Sequence, residues 1–399
     1  MSLAHSQLDA HSHSGTGERP NADERPGTSG RPNAHSRDAS TRRTLYYLGP
    51  RGTFTHQAAM AVIPRLTAIC GTAFEAQPAD AAAQIFEHVE NGDGFGIVAW
   101  ENNVEGYVVP NLDALLDARA VLGIERVAVD VSFDAFVRPD HDALTEATAH
   151  PHGLAQCSGF IRRRRLAIRP ADSNAAGCRD VTRNQVALGP SLCGQLYGLE
   201  TLERGVQDFQ GARTEFLVIA PRAEGHAYLR AVRAADGDDP DDYESILGLV
   251  PLSTGPGVVA DLLDVLRDAG LNMTSFISRP IKGRDGTYSF VATIDSAPWK
   301  PVFRTILRDL TGTSTWAKTL AVYPRLTRPN PPVSAWMLPE GGVGPGDYVA
   351  LGAASQGTSA PAESVSDVSA SGASVPGDKT YMTMREDAAI KAEEELLWK

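Results

Sequence analysis

A polar loop runs directly into an apolar stretch in the segment Asp208-Phe209-Gln210-Gly211-Ala212-Arg213-Thr214-Glu215-Phe216-Leu217-Val218-Ile219. Residues 216–220 are apolar over a length typical of a buried strand. Because strand residues alternate between faces, Thr214 and Phe216 are expected to point one way and Arg213 and Glu215 the other. Polar side chains at the mouth of a buried strand are typical of α/β active sites and also of plain strand-end caps. The local chemistry leaves both interpretations open.

Short strands and helices alternate on the N-terminal side of this segment, and the alternation predicts an α/β fold. Strands are predicted at 45–48, 97–100, 127–129, 133–137, 166–168 and 186–188, and helices at 54–62, 79–90, 111–118 and 191–197, with Asn111 as a cap. The strand at 216–220 is expected to rejoin the first half of the chain. Two α/β lobes with a cleft between them would result.

A different pattern begins at Ser245. It predicts strands at 246–250, 274–278, 288–295 and 319–323, and helices at 258–269 and 301–310. This βαββαβ order is that of a ferredoxin-like domain. We therefore expect a second, smaller domain after the two lobes.

The ends of the chain and one internal stretch have the composition of segments that do not fold by themselves. The predicted boundaries are a disordered tail at 1–43, the two-lobed region at 44–222 with its second lobe at about 124–205, a polar linker at 223–243, the ferredoxin-like domain at 244–325 and a low-complexity tail at 326–399.

Charge and hydropathy exclude several classes of protein. The net charge of −12, from 37 basic and 49 acidic residues, argues against a nucleic-acid or acidic-membrane surface. No apolar run approaches the roughly 18–20 residues that span a bilayer, and the N-terminus lacks the apolar core of a signal peptide. The four cysteines form no CxxC pair, and no histidine cluster offers them zinc-like spacing. A cytoplasmic protein without a metal site is predicted.

Two further polar stretches are candidate ligand sites. Residues 49–53 form a glycine-containing turn before a helix, with Thr53 as a plausible N-cap. The free N–H groups of such a helix start favour an anion, although the same pattern serves as a simple capped turn. Glu101, Asn102 and Asn103 follow the strand at 97–100, where open α/β sheets bind ligands.

The motifs, taken in order over about residues 45–324, resemble the prephenate dehydratase family with a C-terminal ACT regulatory domain. The matching stretches are Leu48-Gly49-Pro50-Arg51-Gly52-Thr53-Phe54-Thr55-His56, Glu101-Asn102-Asn103 with Gly106, His150-Pro151 with Gln156-Cys157, Ser173-Asn174-Ala175-Ala176, Tyr197-Gly198-Leu199, Thr214-Glu215-Phe216, Gly257-Val258-Val259 and Ile277-Ser278-Arg279-Pro280. The resemblance implies two lobes of the type-2 periplasmic-binding fold, with the active site between them.

The same resemblance implies the reaction and its regulation. Such proteins convert prephenate to phenylpyruvate in phenylalanine biosynthesis and need no cofactor. Their ACT domains pair across subunits and bind L-phenylalanine as a feedback inhibitor. The resemblance therefore implies prephenate as substrate, L-phenylalanine as effector and a homo-oligomer, either a dimer or a tetramer.

Site residues follow from the matched motifs. The resemblance implies that Thr214 is catalytic, because a hydroxyl can donate a hydrogen bond to the departing oxygen. The implied substrate-binding residues are Gly52, Thr53, Glu101, Asn102, Asn103, Gln156, Ser173, Asn174, Arg213 and Phe216. The implied effector-binding residues are Gly257, Val258, Ser278, Arg279 and Pro280.

The chain departs from the family's motifs at four positions. The arginine of the family's Thr-Arg-Phe is Glu215, which is unfavourable beside a dianionic substrate. Arg213 is on the same predicted strand face and is expected to take over the positive charge. Ala149 and Asn103 stand where the family has serines, and Ile277 replaces the glutamate of the effector motif.

Three functions remain open at this point. Retention of Thr214 favours a prephenate dehydratase. Glu215 and Ala149 favour a non-aromatising prephenate decarboxylase of secondary metabolism, which loses carbon dioxide but not hydroxide. A cleft fold with an ACT domain also suits a non-catalytic, ligand-binding regulatory protein.

Overall fold

The computed structural model describes residues 42–313, 315–326, 333–334 and 337–342. The tails predicted at 1–43 and 326–399 lie largely outside these residues, although Arg43 already belongs to the first strand. None of the helices in the described part of the chain combines the length and apolarity that a bilayer crossing requires.

The first lobe is built from two parts of the chain, one that precedes the second lobe and one that follows it. Its elements are β1 Arg43–Leu48, α1 Phe54–Cys70, β2 Phe74–Ala79, α2 Ala82–Glu90, β3 Phe95–Asn102, β4 Gly106–Tyr107, α3 Val109–Asp117 and β5 Val121–Asp130. The second lobe contains β6 Asp134–Val137, β7 Glu146–Ala149, α4 Pro151–Gln156, α5 Ser158–Arg164, β8 Ala167–Pro170, α6 Asn174–Arg179, β9 Gln185–Gly189, α7 Leu192–Tyr197 and β10 Glu200–Glu203. The chain then returns through β11 Arg213–Pro221 and α8 Arg222–Asp236.

The remaining elements form the ferredoxin-like unit. They are β12 Tyr243–Pro251, α9 Val258–Asp268, β13 Met273–Pro280, β14 Tyr288–Ile294, α10 Pro301–Thr313 and β15 Thr315–Pro324. Their order is βαββαβ, as the sequence predicts. The four strands are arranged β13-β14-β12-β15 and pair antiparallel.

Strand β11 rejoins the first lobe, which confirms the predicted α/β fold with two lobes. It lies between β5 and β3 and is antiparallel to both, while β1 pairs in parallel with β2 and β3. The second lobe has its own sheet, in the order β10-β6-β9-β7-β8. Both connections between the lobes therefore run next to the C-terminal end of β5 and the N-terminal end of β11.

The sheet of the ferredoxin-like unit continues into the sheet of the first lobe. Strand β15 meets β5 in parallel through Ala321 and Gly123. A Cβ atom at Gly123 would lie 2.6 Å from the Cβ of Ala321, so only glycine permits this approach. The ferredoxin-like unit is thereby fixed at the strand next to β11.

The predicted linker at 223–243 is largely helix α8 and belongs to the core of the first lobe. Tyr228, Leu229 and Val232 are buried against the sheet, and the Tyr228 hydroxyl donates to Glu125 Oε2 at 2.6 Å. The linker prediction was wrong because these three residues are the apolar stripe of a helix whose other faces are polar. Asn111 is also not a cap, since it lies inside α3 and donates to the carbonyl of Ala99 at 2.7 Å.

Candidate active site

The ends of β11 and β3 bring Thr214 and Asn102 side by side. The two residues are partners in the antiparallel register, and Asn102 Nδ2 donates to Thr214 Oγ1 at 2.9 Å. Asn102 Oδ1 accepts the backbone N–H groups of Val104 and Glu105 at 2.8 and 3.0 Å. The orientation of the amide is therefore fixed. The Thr214 hydroxyl uses a lone pair in this contact and keeps its own proton to donate.

Asn103 fastens the loop that precedes β11. Its Nδ2 donates to the carbonyl of Gly211 at 2.9 Å, and its Oδ1 accepts the N–H of Arg213 at 2.8 Å. The sequence predicts a substrate contact for Asn103. In the structure both ends of its amide bind the backbone, so this side chain holds Thr214 in place from the adjacent turn.

The glycine turn after β1 packs against the second lobe. Gly52 has a φ of +90°, and its carbonyl accepts from Cys193 Sγ at 3.2 Å. Its N–H donates to His56 Nδ1 at 3.0 Å, while Thr53 caps α1 by accepting the N–H of His56 at 3.2 Å. The N–H of Gly52 is thus already used. The anion contact predicted for this turn stays a prediction, and it would fall to the N–H groups of Phe54 and Thr55, which have no acceptor within the helix.

On the second lobe, Ser173 and Asn174 organise the start of two helices. Ser173 Oγ accepts the N–H of Ala176 at 3.0 Å and caps α6. Asn174 Oδ1 accepts the N–H of His150, the residue before α4, at 3.0 Å. Asn174 therefore joins α6 to α4, the short helix whose last residue is Gln156.

Several contacts place the two sets of predicted site residues opposite each other. The Tyr197 hydroxyl donates to the carbonyl of Arg51 at 2.5 Å, the rings of Phe54 and Phe133 meet edge to face at 5.4 Å, and His152 Nδ1 lies 3.9 Å from Glu105 Oε1. The turn after Asn102 and the helix that carries Gln156 are therefore neighbours across the boundary between the lobes. Gln156 itself is half-buried.

A buried charge cluster lies at the same strand ends and surrounds Arg126 of β5. Arg126 Nη2 is 2.9 Å from Glu101 Oε2 and also pairs with Glu215. Arg126 Nη1 donates to the Tyr323 hydroxyl at 2.8 Å and lies 3.7 Å from Glu244 Oε2. The Arg126 side chain is 1% exposed. Burial lowers its pKa, but Tyr323, Glu215 and Glu244 more than offset this, so the pKa of Arg126 is raised.

Glu215 is on the sheet face opposite to Thr214, as strand alternation predicts. Its side chain is 12% exposed and turned onto Arg126. The prediction that Glu215 lies beside a substrate dianion is therefore wrong, because its carboxylate faces away from Thr214 and binds Arg126. Glu101, predicted to orient substrate, is likewise paired with Arg126, although 31% of its side chain remains exposed.

The two other predicted residues of β11 differ in position. Arg213 is partly exposed, and its Nη2 lies 4.0 Å from Glu215 Oε1, so it is the more accessible cation at this strand end. Phe216 is 1% exposed and packs in the core of the first lobe. It is placed to support the strand beneath Thr214, and not to contact a ligand directly.

The predicted effector residues lie on two elements of the ferredoxin-like unit. Gly257 and Val258 begin α9, and Ser278, Arg279 and Pro280 end β13. Arg279 pairs with Asp113 of α3, with both nitrogen–oxygen distances at 2.8 Å. Ile277 is half-buried and packs against the first lobe's core.

Two residues beside the site were not singled out from the sequence. Arg126 was detectable as a charge inside the apolar strand at 121–130, where a buried partner is required. His56 is 6% exposed and stacks on Tyr47 with ring centroids 4.7 Å apart. Burial, helped by Arg51, lowers the pKa of His56, so the ring is neutral at pH 7 and accepts from Gly52.

The architecture defines a class of two-lobed α/β proteins with an appended ferredoxin-like unit and a polar site at the lobe boundary. A profile of the prephenate dehydratase family matches residues 45–224. The prephenate dehydratase of Mycolicibacterium gilvum is 32% identical over 265 residues, which cover 61% of this chain and 79% of that protein. The chain therefore belongs to the prephenate dehydratase family, as its motifs predict.

Two solved structures share the fold. A quorum-quenching acylase described as GqqA superimposes with a TM-score of 0.60 at 23% identity, covering 71% of this chain and 98% of the acylase. The prephenate dehydratase of Arthrobacter aurescens in complex with L-Phe superimposes with a TM-score of 0.58 at 24% identity, covering 78% and 96%. At these identities the two likenesses concern the fold alone.

Proposed function

We propose that this protein is a prephenate dehydratase that acts in L-phenylalanine biosynthesis. The observation that supports the proposal is the contact between Asn102 and Thr214, which holds a threonine hydroxyl at the strand ends next to the connections between the lobes. The residue that argued most strongly against dehydration, Glu215, points to the opposite face and is paired with Arg126. The family membership agrees with this reaction.

The protein has two tasks in this reaction: to orient the substrate and to polarise the ring carbon–oxygen bond that breaks. The ring carboxylate leaves as carbon dioxide, its bonding electrons enter the ring, and the ring carbon–oxygen bond breaks as hydroxide departs. The ring becomes aromatic, which supplies the driving force. Thr214 donates a hydrogen bond to the departing oxygen, and solvent supplies the proton that completes water, because the pKa of a threonine hydroxyl is too high for full transfer.

The substrate dianion is held, in this proposal, by groups from both lobes. The first N–H groups of α1 behind Thr53 and the guanidinium of Arg213 are the cationic or donor groups of the first lobe. Gln156 is the polar side chain that the second lobe presents opposite Asn102. Arg213 begins on the same sheet face as Glu215, and its more exposed guanidinium at the strand end is the accessible cation of this set.

Regulation and assembly form part of the proposal. The Arthrobacter aurescens structure is a complex with L-Phe. We expect L-phenylalanine to act as an effector here, bound through the ferredoxin-like unit of a homodimer or homotetramer. A cytoplasmic location and independence from cofactors belong to the same proposal.

Product identification after mixing purified protein with prephenate near neutral pH tests the function. Phenylpyruvate is the expected product. A non-aromatic product that retains the hydroxyl would identify a decarboxylase, and unchanged substrate with saturable binding would identify a regulatory protein. A separate thermal-shift titration with L-phenylalanine tests the effector, since no shift at millimolar ligand would contradict it.

A further inference from the structure

We infer that Arg126 is a positioning residue for the reacting end of the site and holds β3 and β11 in the register that joins Asn102 to Thr214. Arg126 acts on these two residues through their strand neighbours, because its guanidinium pairs with Glu101 and Glu215. The inference concerns the same site as the proposed dehydratase function, and its activity measurements rest on that function.

The register at this point places two like charges opposite each other. Glu215 pairs with Glu101 across the antiparallel strands, one position away from the Thr214–Asn102 pair. Directly opposed like charges destabilise a strand pair. A single nitrogen of Arg126 pairs with both carboxylates. Without this guanidinium, the strand ends would separate or shift in register.

The register is irregular next to these charges. Glu215 pairs with Glu101, but Phe216 pairs with Ala99, so the pairing shifts at Trp100. Irregularities of this kind bend a strand and re-aim its side chains, and they occur beside active sites. The contacts of Arg126 on one side of the shift determine which residues face the lobe boundary.

The same guanidinium reaches the ferredoxin-like unit. Arg126 Nη1 donates to the hydroxyl of Tyr323 on β15 at 2.8 Å and lies 3.7 Å from Glu244 on β12. The cation also lies 5.6 Å from the centre of the Tyr323 ring. The position of Thr214 therefore depends, through Arg126, on how β12 and β15 pack against the first lobe.

This arrangement gives a physical account of Glu215. Where the family's motif has an arginine on β11, this chain supplies the buried cation from β5 and a carboxylate from β11. A second arginine at position 215 would place two guanidinium groups together in a buried setting. We therefore expect Glu215→Arg to lower turnover sharply, and Arg126→Gln combined with Glu215→Arg to recover about tenfold over Glu215→Arg alone.

The test measures kcat and KM separately for Arg126→Gln, with Glu125→Gln as the control. Glu125 is the preceding residue of β5, faces the other side of the sheet and is paired with Arg65 at 2.7 Å. Arg126→Gln is expected to lower kcat about 100-fold with a smaller change in KM, because an ångström of misplacement is enough for that loss. Glu125→Gln is expected to lower the Tm and leave kcat near that of the wild type.

If Arg126→Gln fails to fold, Tyr323→Phe replaces it as the test variant. This substitution removes one hydrogen bond to Arg126 and retains the aromatic ring. It is expected to lower kcat several-fold, with a change in the same direction as Arg126→Gln. The inference would be overturned if Arg126→Gln and Tyr323→Phe had the same kcat as the wild type. It would also be overturned if Glu125→Gln lowered kcat as much as Arg126→Gln does.

Backbone hydrogen exchange provides a measurement that does not depend on turnover. Arg126→Gln should accelerate exchange at residues 101–103 and 213–216 more than Glu125→Gln does. If the wild-type protein leaves prephenate unchanged, the proposed function fails and the exchange comparison still decides the role of Arg126. Unchanged exchange at both segments would count against it.

Discussion

Arg279 on β13 and Asp113 on α3 form a bidentate ion pair, with both nitrogen–oxygen distances at 2.8 Å. A second polar contact lies nearby, since the hydroxyl of Tyr107 on β4 donates to Ser275 Oγ on β13 at 2.8 Å. Strand β13 carries the predicted effector motif, and β4 and α3 follow the turn that holds Asn102. The predicted effector segment is thus joined to the site through two independent contacts.

Asp113→Asn tests the strength and pH dependence of this connection. The hydrogen bonds from Arg279 are the largest cause of the lowered pKa of Asp113. A carboxyl whose pKa is lowered by folding stabilises the protein above its ordinary pKa, and this stabilisation is lost as the pH falls through the folded-state value. We expect the variant to be less stable by about 1 kcal/mol at pH 7, because both side chains are partly exposed.

Urea unfolding of wild type and Asp113→Asn at pH 7 and in acid measures this difference, which should shrink in acid. The control is Asp117→Asn, because Asp117, on the same helix as Asp113, forms an exposed pair with Lys282 at 3.5 Å that should contribute almost nothing. A difference for Asp113→Asn that does not change with pH would contradict the assignment of the ion pair.

Thr214→Val tests the hydroxyl directly. Valine preserves the shape of the side chain and removes the group that is expected to donate to the departing oxygen, so kcat should fall about 100- to 1000-fold. KM should change little, and the Tm should stay near the wild-type value because the side chain lies at the rim of the core. Thr214→Ser retains the hydroxyl and should keep substantial activity. Equal turnover by Thr214→Val and wild type would rule out the role.

Local rules predicted part of this site correctly. The alternation of strand faces places Thr214 and Glu215 on opposite sides of the sheet, and the position of Thr53 between a glycine turn and an apolar helix identified it as a helix cap. Both are properties of a few consecutive residues. The partner of Glu215 is not such a property, because Arg126 comes next to it through the order of strands in the sheet.

Other differences arose where one residue type serves two purposes. Asn103 and Asn174 belong to motifs that suggested substrate contacts, yet their amides hold backbone groups of neighbouring segments. From the sequence, an asparagine that binds substrate cannot be distinguished from one that binds the backbone of a neighbouring segment. Helix α8 was mistaken for a linker because its few apolar residues, among them Tyr228 and Val232, are surrounded by charged ones.

His56 is expected to make stability depend on pH. Its folded-state pKa is lowered from the ordinary value of 6.5, mainly by burial. A histidine with a lowered folded-state pKa takes up its proton first in the unfolded chain, so stability falls as the pH drops below about 6.5. His56→Phe removes both the titration and the acceptor for Gly52, while His56→Gln removes the titration and retains an acceptor.

Free energies of unfolding at pH 8 and pH 5 separate these effects. At pH 8 we expect His56→Phe to be less stable than wild type by about 1–2 kcal/mol, and His56→Gln to lose less. Toward pH 5 both variants should lose less stability than the wild type. A wild-type protein whose stability falls no more steeply than that of the variants would contradict a neutral, buried His56.

Gly153→Ala tests the packing between α4 and α6. Alanine normally stabilises a helix relative to glycine, by about 0.5–1 kcal/mol. At Gly153, however, a Cβ atom would lie 2.3 Å from Asn174 Oδ1 and 3.0 Å from the Phe133 ring. We expect a lower Tm and a raised KM, because Asn174 must move away from His150 and release the start of α4.

Gly312→Ala is the matched control, since it lies in α10 with open space around its Cβ position and should raise the Tm. Combining Gly153→Ala with Asn174→Ala removes the clashing atom. The double variant should regain part of the lost stability without regaining the wild-type KM, because the contact between Asn174 and His150 is still missing. If Gly153→Ala instead raises the Tm as Gly312→Ala does, the close packing of α4 on Asn174 is not a feature of the protein in solution.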